Sequence, residues 1–99
     1  MRDAETEVVS ALRALASPVR LGIMRELAKH PETCACDFTD LFTVSQPTVS
    51  SHLKALREAG LVRTRRRGNQ ICYSIDQAAL ARVGQAIASL APVVAAAAS

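Results

Sequence analysis

The sequence predicts a mainly α-helical domain that carries one small β-hairpin, and three observations predict it. Of the 99 residues, 49% are hydrophobic but only 3% aromatic, and a chain rich in Ala and Leu yet poor in aromatics favours packed helices over a sandwich or barrel. Apolar residues recur every three or four positions through most of the chain, the period of an amphipathic helix. One stretch breaks that period. The runs 61–66 and 70–75 flank Arg67-Gly68-Asn69, where glycine and asparagine permit the positive backbone angles of a tight hairpin.

Each helix has its own start and stop. Val8, Leu12 and Leu15 repeat at helical spacing until Ser17-Pro18, where Ser17 is placed to cap a second helix and Pro18 to occupy its first turn. Val19, Ile23 and Leu27 then recur every four residues as far as Lys29, ahead of Pro31. Thr33 or Asp37 is placed to cap a short helix with Phe38, Leu41 and Phe42 on its inner side, and Thr43-Val44 makes a turn. Ser45 caps the next helix, Pro47 is tolerated in its first turn, and its stripe of Val49, Leu53 and Leu56 ends at Ala59-Gly60. Two helices joined this tightly form a helix-turn-helix. After the hairpin, Asp76 caps a last helix with Leu80, Val83, Ile87 and Leu90 on one face. Residues 1–91 thus make one domain, and the alanine-rich stretch 92–99 a disordered tail.

Composition narrows the function classes. A domain this short buries only about 60 to 65% of its unfolded surface, so stability shared with a second copy is expected. The formal charge is only +3, but Arg57, Arg63, Arg65, Arg66 and Arg67 crowd a stretch whose only acid is Glu58, an electrostatic footprint for phosphate. Three cysteines cannot close a disulfide framework, and no charged leader precedes an apolar run, so a reduced, cytoplasmic chain is expected. No apolar run approaches the roughly 18 residues that cross a bilayer, so no membrane partner is expected. Neither histidine nor any cysteine comes with an evident oriented base, and no glycine-rich phosphate loop is present, so the chain is not expected to be an enzyme.

The order helix, helix, helix-turn-helix, hairpin, helix is that of a winged helix, and the residues resemble the ArsR/SmtB family of metal-sensing repressors. The resemblance rests on Leu15-Ala16-Ser17-Pro18-Val19-Arg20-Leu21, Cys34-Ala35-Cys36-Asp37, Ser45-Gln46-Pro47-Thr48-Val49-Ser50-Ser51-His52-Leu53-Lys54 and Leu56-Arg57-Glu58-Ala59-Gly60-Leu61-Val62. It implies a homodimer on palindromic double-stranded operator DNA, joined through the first and last helices and released by an inducer. Val8, Leu12 and Leu15 with Leu80, Val83 and Ile87 supply the two apolar stripes for that interface.

Projected at 100° per residue, the second helix of the helix-turn-helix turns Val49, Leu53 and Leu56 inward, with Pro47, Ser51, Lys54 and Glu58 facing away, flanked by Thr48 and Ser50. Gln46, Thr48, Ser50 and Ser51 are the candidates for bases or nearby phosphates. Lys54 and Arg57 suit phosphates beside the groove, and Arg65, Arg66 and Arg67 suit the backbone or minor groove at the wing. His52 lies nearer the apolar stripe, which favours a structural role.

The Cys34-Ala35-Cys36-Asp37 segment resembles the metalloid-binding stretch of arsenical repressors, which implies trivalent arsenic or antimony as inducer on Cys34 and Cys36. That motif has a third cysteine where this chain has Thr39. The last helix lacks the His and Glu ligands of the family's zinc-type sites, retaining only Asp76, and no cysteine precedes Cys34. The alternatives are another thiophilic ion (mercury, cadmium or lead) or thiol oxidation or persulfide sensing. Cys72, in a wing strand, reads as a packed structural cysteine rather than a ligand. Because residues two apart on a helix point about 200° apart, binding at Cys34 and Cys36 is expected to distort a helix start and shift the DNA-reading helix.

Overall fold

Four helices and a three-stranded antiparallel sheet make up the described chain, which in this computed structural model comprises residues 4–35, 37–38 and 45–91. In order these are α1 (Ala4–Leu15), α2 (Pro18–Lys29), β1 (Thr33–Cys34), α3 (Gln46–Glu58), β2 (Val62–Arg67), β3 (Gln70–Ile75) and α4 (Gln77–Ala88).

The helix starts follow the caps read from the sequence. Ser17, in extended backbone, accepts a hydrogen bond from the Arg20 amide at 3.3 Å, and Pro18 opens α2. Ser45 accepts from the Thr48 amide at 3.4 Å and lies 2.9 Å from the Thr48 hydroxyl. The Asp76 carboxylate accepts from the Ala79 amide at 3.0 Å. Each bond satisfies an amide that the first helical turn leaves without a partner. At the far end of α3, Gly60 takes φ +80. The Gly60 amide donates to the Arg57 carbonyl at 2.9 Å and the Leu61 amide to the Leu56 carbonyl at 3.1 Å, closing the helix in a Schellman motif.

The core gathers Ile23, Met24 and Leu27 of α2, Phe38, Val49, Leu53 and Leu56 of α3, Leu61, Val62, and Val83 of α4. Phe38 meets Tyr73 of β3 edge-on, with ring centroids 6.3 Å apart at 72°. Full burial of side chains such as Phe38, Leu53 and Leu56 contributes about 1.5–3 kcal/mol each relative to exposure.

Several expectations are corrected. The hairpin gains a third strand, because Thr33 and Cys34 pair antiparallel with β3 to give the order β1-β3-β2. Thr33 is buried in that strand rather than capping a helix, and helical backbone is present at Ala35, Asp37 and Phe38. Gly68 alone supplies the hairpin's positive angle, at φ +60; Asn69 does not need one. Val83, read as a dimer contact, is buried within the single copy, and Leu15 and Leu80 pack against the same core. α1 faces inward with Ala11 and Ala14, small residues that leave Leu12 40% exposed. The readings at Leu41, Phe42, Thr43 and Val44, and of the tail from Pro92 onward, lie outside the described residues.

Candidate nucleic-acid interface and thiol site

α3 presents one face to the core and the other to solvent. With Val49, Leu53 and Leu56 buried, Thr48, Ser50, Ser51, Lys54 and Arg57 are all exposed, as 100° per residue requires. Gln46 forms the first residue of the helix. His52 is half-buried at the edge of this face, where its Nδ1 accepts from the Arg20 Nε at 3.1 Å. Arg20 also donates through Nη1 to the Ala14 carbonyl at 3.3 Å, so one guanidinium links the end of α1, the start of α2 and the middle of α3. Sequence reasoning assigned His52 to structure but did not find Arg20, whose partner is 32 positions away.

The wing strands continue the cationic surface. Arg63, Arg65, Arg66 and Arg67 are exposed. Alternation along β2 sets Arg66 on the opposite face from Arg65 and Arg67. Arg65 donates from Nε and Nη2 to the two carboxylate oxygens of Glu32, both at 2.9 Å, and Arg67 Nη1 reaches the same carboxylate at 3.4 Å. The hydrogen bonds from Arg65 hold the Glu32 carboxyl below the usual carboxylate range, against an opposing push from partial loss of hydration, and the charges of Arg65 and Arg67 add to the lowering. The same bonds raise the Arg65 guanidinium. Two of the three candidate wing arginines are therefore engaged by an acid that nothing in the local sequence singles out.

The thiols occupy the same row of the sheet. Tyr73 and Ile75 of β3 pack against the core, so Cys72, between Ile71 and Tyr73, belongs to the other face. It stands opposite Cys34 of β1 on one side and Arg65 of β2 on the other. Cys34 and Cys72 are joined in a disulfide, with Cα atoms 3.8 Å apart. This corrects one expectation, the fully reduced chain; Cys72 is packed, as read from its strand position. Cys34 also lies on a strand rather than a helix, which removes the helical geometry on which the expected distortion rested. Cys36 is outside the described residues, and among those described no group of three His, Cys, Asp or Glu gathers to hold an ion.

A second surface lies along α1 and α4. Glu5, Val8, Val9, Leu12, Ile87 and Leu90 line a shallow groove of about 260 Å³. Ile87 is 49% and Leu90 83% exposed. Beside it, Arg82 of α4 donates from Nε and Nη2 to the two carboxylate oxygens of Glu7 of α1 at 2.7 and 3.0 Å, which raises the Arg82 guanidinium. No helix among the described residues is long and apolar enough to cross a membrane.

A polar-faced helix followed by an arginine-bearing hairpin defines a winged-helix protein. Residues 17–64 match the bacterial regulatory protein, arsR family. The arsenical resistance operon repressor of Staphylococcus xylosus is 39% identical over 79 residues, spanning 80% of this chain and 75% of that protein. The HTH-type transcriptional repressor SmtB of Mycobacterium tuberculosis is 40% identical over 72 residues, 73% of this chain but only 53% of its own length. The crystal structure of the transcriptional repressor BigR from Xylella fastidiosa superimposes with a TM-score of 0.68 at 33% identity, covering 88% of each chain. The chain belongs to the arsR family of transcriptional regulators, whose members here are repressors and not enzymes.

Proposed function

We propose that this chain is a homodimeric repressor that binds a palindromic DNA operator and releases it when trivalent arsenic or antimony binds Cys34 and Cys36. The exposed polar face of α3, continuous with the cationic wing, carries the reading. Gln46, Thr48, Ser50 and Ser51 approach base edges or nearby phosphates, and short side chains there let the helix backbone sit deep in the major groove. Lys54, Arg57, Arg65, Arg66 and Arg67 set register on phosphates without specifying sequence. The exposed part of the α1–α4 surface, with Val8, Leu12 and Ile87, meets the same surface of a second copy, while Leu15, Leu80 and Val83 hold that surface from beneath. Two recognition helices joined in this way address half-sites roughly 34 Å apart.

The donor chemistry fits the ligand, since thiolates are the soft donors that thiophilic ions select. The Cys34–Cys72 disulfide favours a second reading on the same fold, in which thiol oxidation is the signal. The test is operator binding by fluorescence anisotropy, with the reduced protein titrated with arsenite, antimonite, mercury, cadmium and zinc, and separately with peroxide. Release by arsenite or antimonite that is lost in Cys34→Ser and Cys36→Ser supports the metalloid reading. Release by peroxide alone replaces it with the oxidative one, and tight operator binding under every condition removes both.

A further inference from the structure

We propose that Glu32 is an internal stand-in for a DNA phosphate: its carboxylate occupies the Arg65 and Arg67 guanidiniums of the wing while no DNA is bound and yields both when a duplex arrives, which sets the affinity of the wing for any sequence. This rests on the reading that the wing meets duplex DNA. It adds the group with which the phosphate backbone must compete.

The contact is built by the fold rather than by neighbours in sequence. β3 lies between β1 and β2 in the sheet, so the ion pair from Arg65 of β2 to Glu32, the residue just before β1, crosses the middle strand. Thr33 pairs with Tyr73 and Cys34 with Cys72 on one side of β3, while Arg65 pairs with Cys72 on the other, and this register brings acid and cation within reach. Both carboxylate oxygens are used. Oε2 accepts from Arg65 Nε at 2.9 Å, and Oε1 accepts from Arg65 Nη2 at 2.9 Å and from Arg67 Nη1 at 3.4 Å.

The chemistry is that of a phosphate site. A guanidinium offers parallel donors that fit the two oxygens of a carboxylate and the two unesterified oxygens of a phosphodiester alike. The side chains of Arg65 and Arg67 are 65% and 61% exposed and that of Glu32 only 21%, so the arginines remain open to an incoming backbone while the acid is the more covered partner. Two guanidiniums against one carboxylate leave net positive charge, which still attracts a duplex. One carboxylate oxygen is shared between two arginines, whereas a duplex with one charge per about 1.7 Å of axis offers each arginine its own phosphate. Arg66, on the opposite face of β2, has no ion pair among the described residues, so the wing has a held half and a free half.

The free energy of releasing Glu32 is subtracted from wing binding on every sequence alike, since these contacts read no base. The exchange is reciprocal. DNA that takes the two arginines detaches Glu32 from the wing, and anything that favours the pairing of Glu32 with the wing weakens DNA binding by the same factor.

Fluorescence anisotropy with a labelled duplex of random sequence at low salt tests this as a mutant cycle. Glu32→Gln is expected to bind about threefold more tightly than the native chain, the size of one exposed ion pair, and the gain should persist beside Arg66→Gln. Beside Arg65→Gln and Arg67→Gln together it should vanish, because nothing remains to release. An equal gain without the two arginines would overturn the proposal, since the lost negative charge would then act through solvent alone. Unchanged or weaker binding by Glu32→Gln would overturn it too. A native chain that binds no duplex would overturn the DNA reading itself. If Glu32→Gln fails to fold, Glu32→Asp, which keeps the charge and falls one methylene short of Arg65, carries the same expectation.

Discussion

α3 and the sheet beside it both carry candidate functional groups, yet they are assembled by different means. On α3 a single period does everything, since the rotation that buries Val49, Leu53 and Leu56 exposes Thr48, Ser51 and Lys54. In the sheet, Cys34, Cys72 and Arg65 form one row only because β1, β3 and β2 pair in that register, and a slip of one residue would turn Cys72 toward the core. The helix surface is a local property of 13 residues. The sheet row is a property of the whole fold, since its three residues come from three separate strands.

The largest effect that separates the two regions is expected from Leu53→Ala. Leu53 is fully buried, and its truncation should cost about 2–5 kcal/mol, read from urea unfolding as a lower midpoint with unchanged slope. A loss below ~1 kcal/mol would mean that α3 is seated by its ends rather than its stripe. Next comes Gly60→Ala. Nothing lies within 4 Å of the Cβ it would add, so the expected cost of about 1–2 kcal/mol is that of the left-handed backbone alone, and Gly60→Asn should recover part of it.

Lys54→Ala on the helix and Arg66→Ala on the wing should each weaken DNA binding across all sequences and lower the slope of log affinity against log salt by about 1. If either instead changed sequence preference, that side chain would belong with the base-reading residues. The smallest effect is expected from Glu32→Gln, which releases Arg65 and Arg67 and should modestly strengthen binding to random duplex. Because the Glu32 carboxyl is held below the usual carboxylate range, its pairing contributes fully above that range and is lost as pH falls through the lowered value. Acid should therefore narrow the difference in Tm between the native chain and Glu32→Gln, and a difference that stays constant with pH would remove the pairing as its cause.

The same contrast explains what was legible before the structure. Ser17, Ser45 and Asp76 were readable as caps because a cap bonds an amide three positions away. The inner face of α3 was readable from its stripe. β1 was not, since two residues have no period to detect, and with it went the Cys34–Cys72 pairing and the reach of Glu32 to the wing. Val83 is buried within the single copy, which the helical period alone did not show. The inner side of α1 is formed by Ala11 and Ala14, whereas a count of large apolar residues points inward through Leu12. Arg20 reads as one more surface cation until its contacts to His52 and Ala14 are seen.

The turn at Gly60 has a mechanical consequence. Three residues separate the last turn of α3 from β2, and the bonds of Gly60 and Leu61 back to α3 are joined by one from the Asp76 amide to the Leu61 carbonyl at 2.9 Å. No slack remains at that joint, so helix and hairpin pivot together. A six-residue strand is about 20 Å long, and a tilt of α3 by roughly 10° therefore sweeps the hairpin tip through about 3 Å, the length of one hydrogen bond. At 13 residues α3 is also about 20 Å long, so helix and wing are equal arms on one pivot, and whatever fixes the angle of one fixes that of the other.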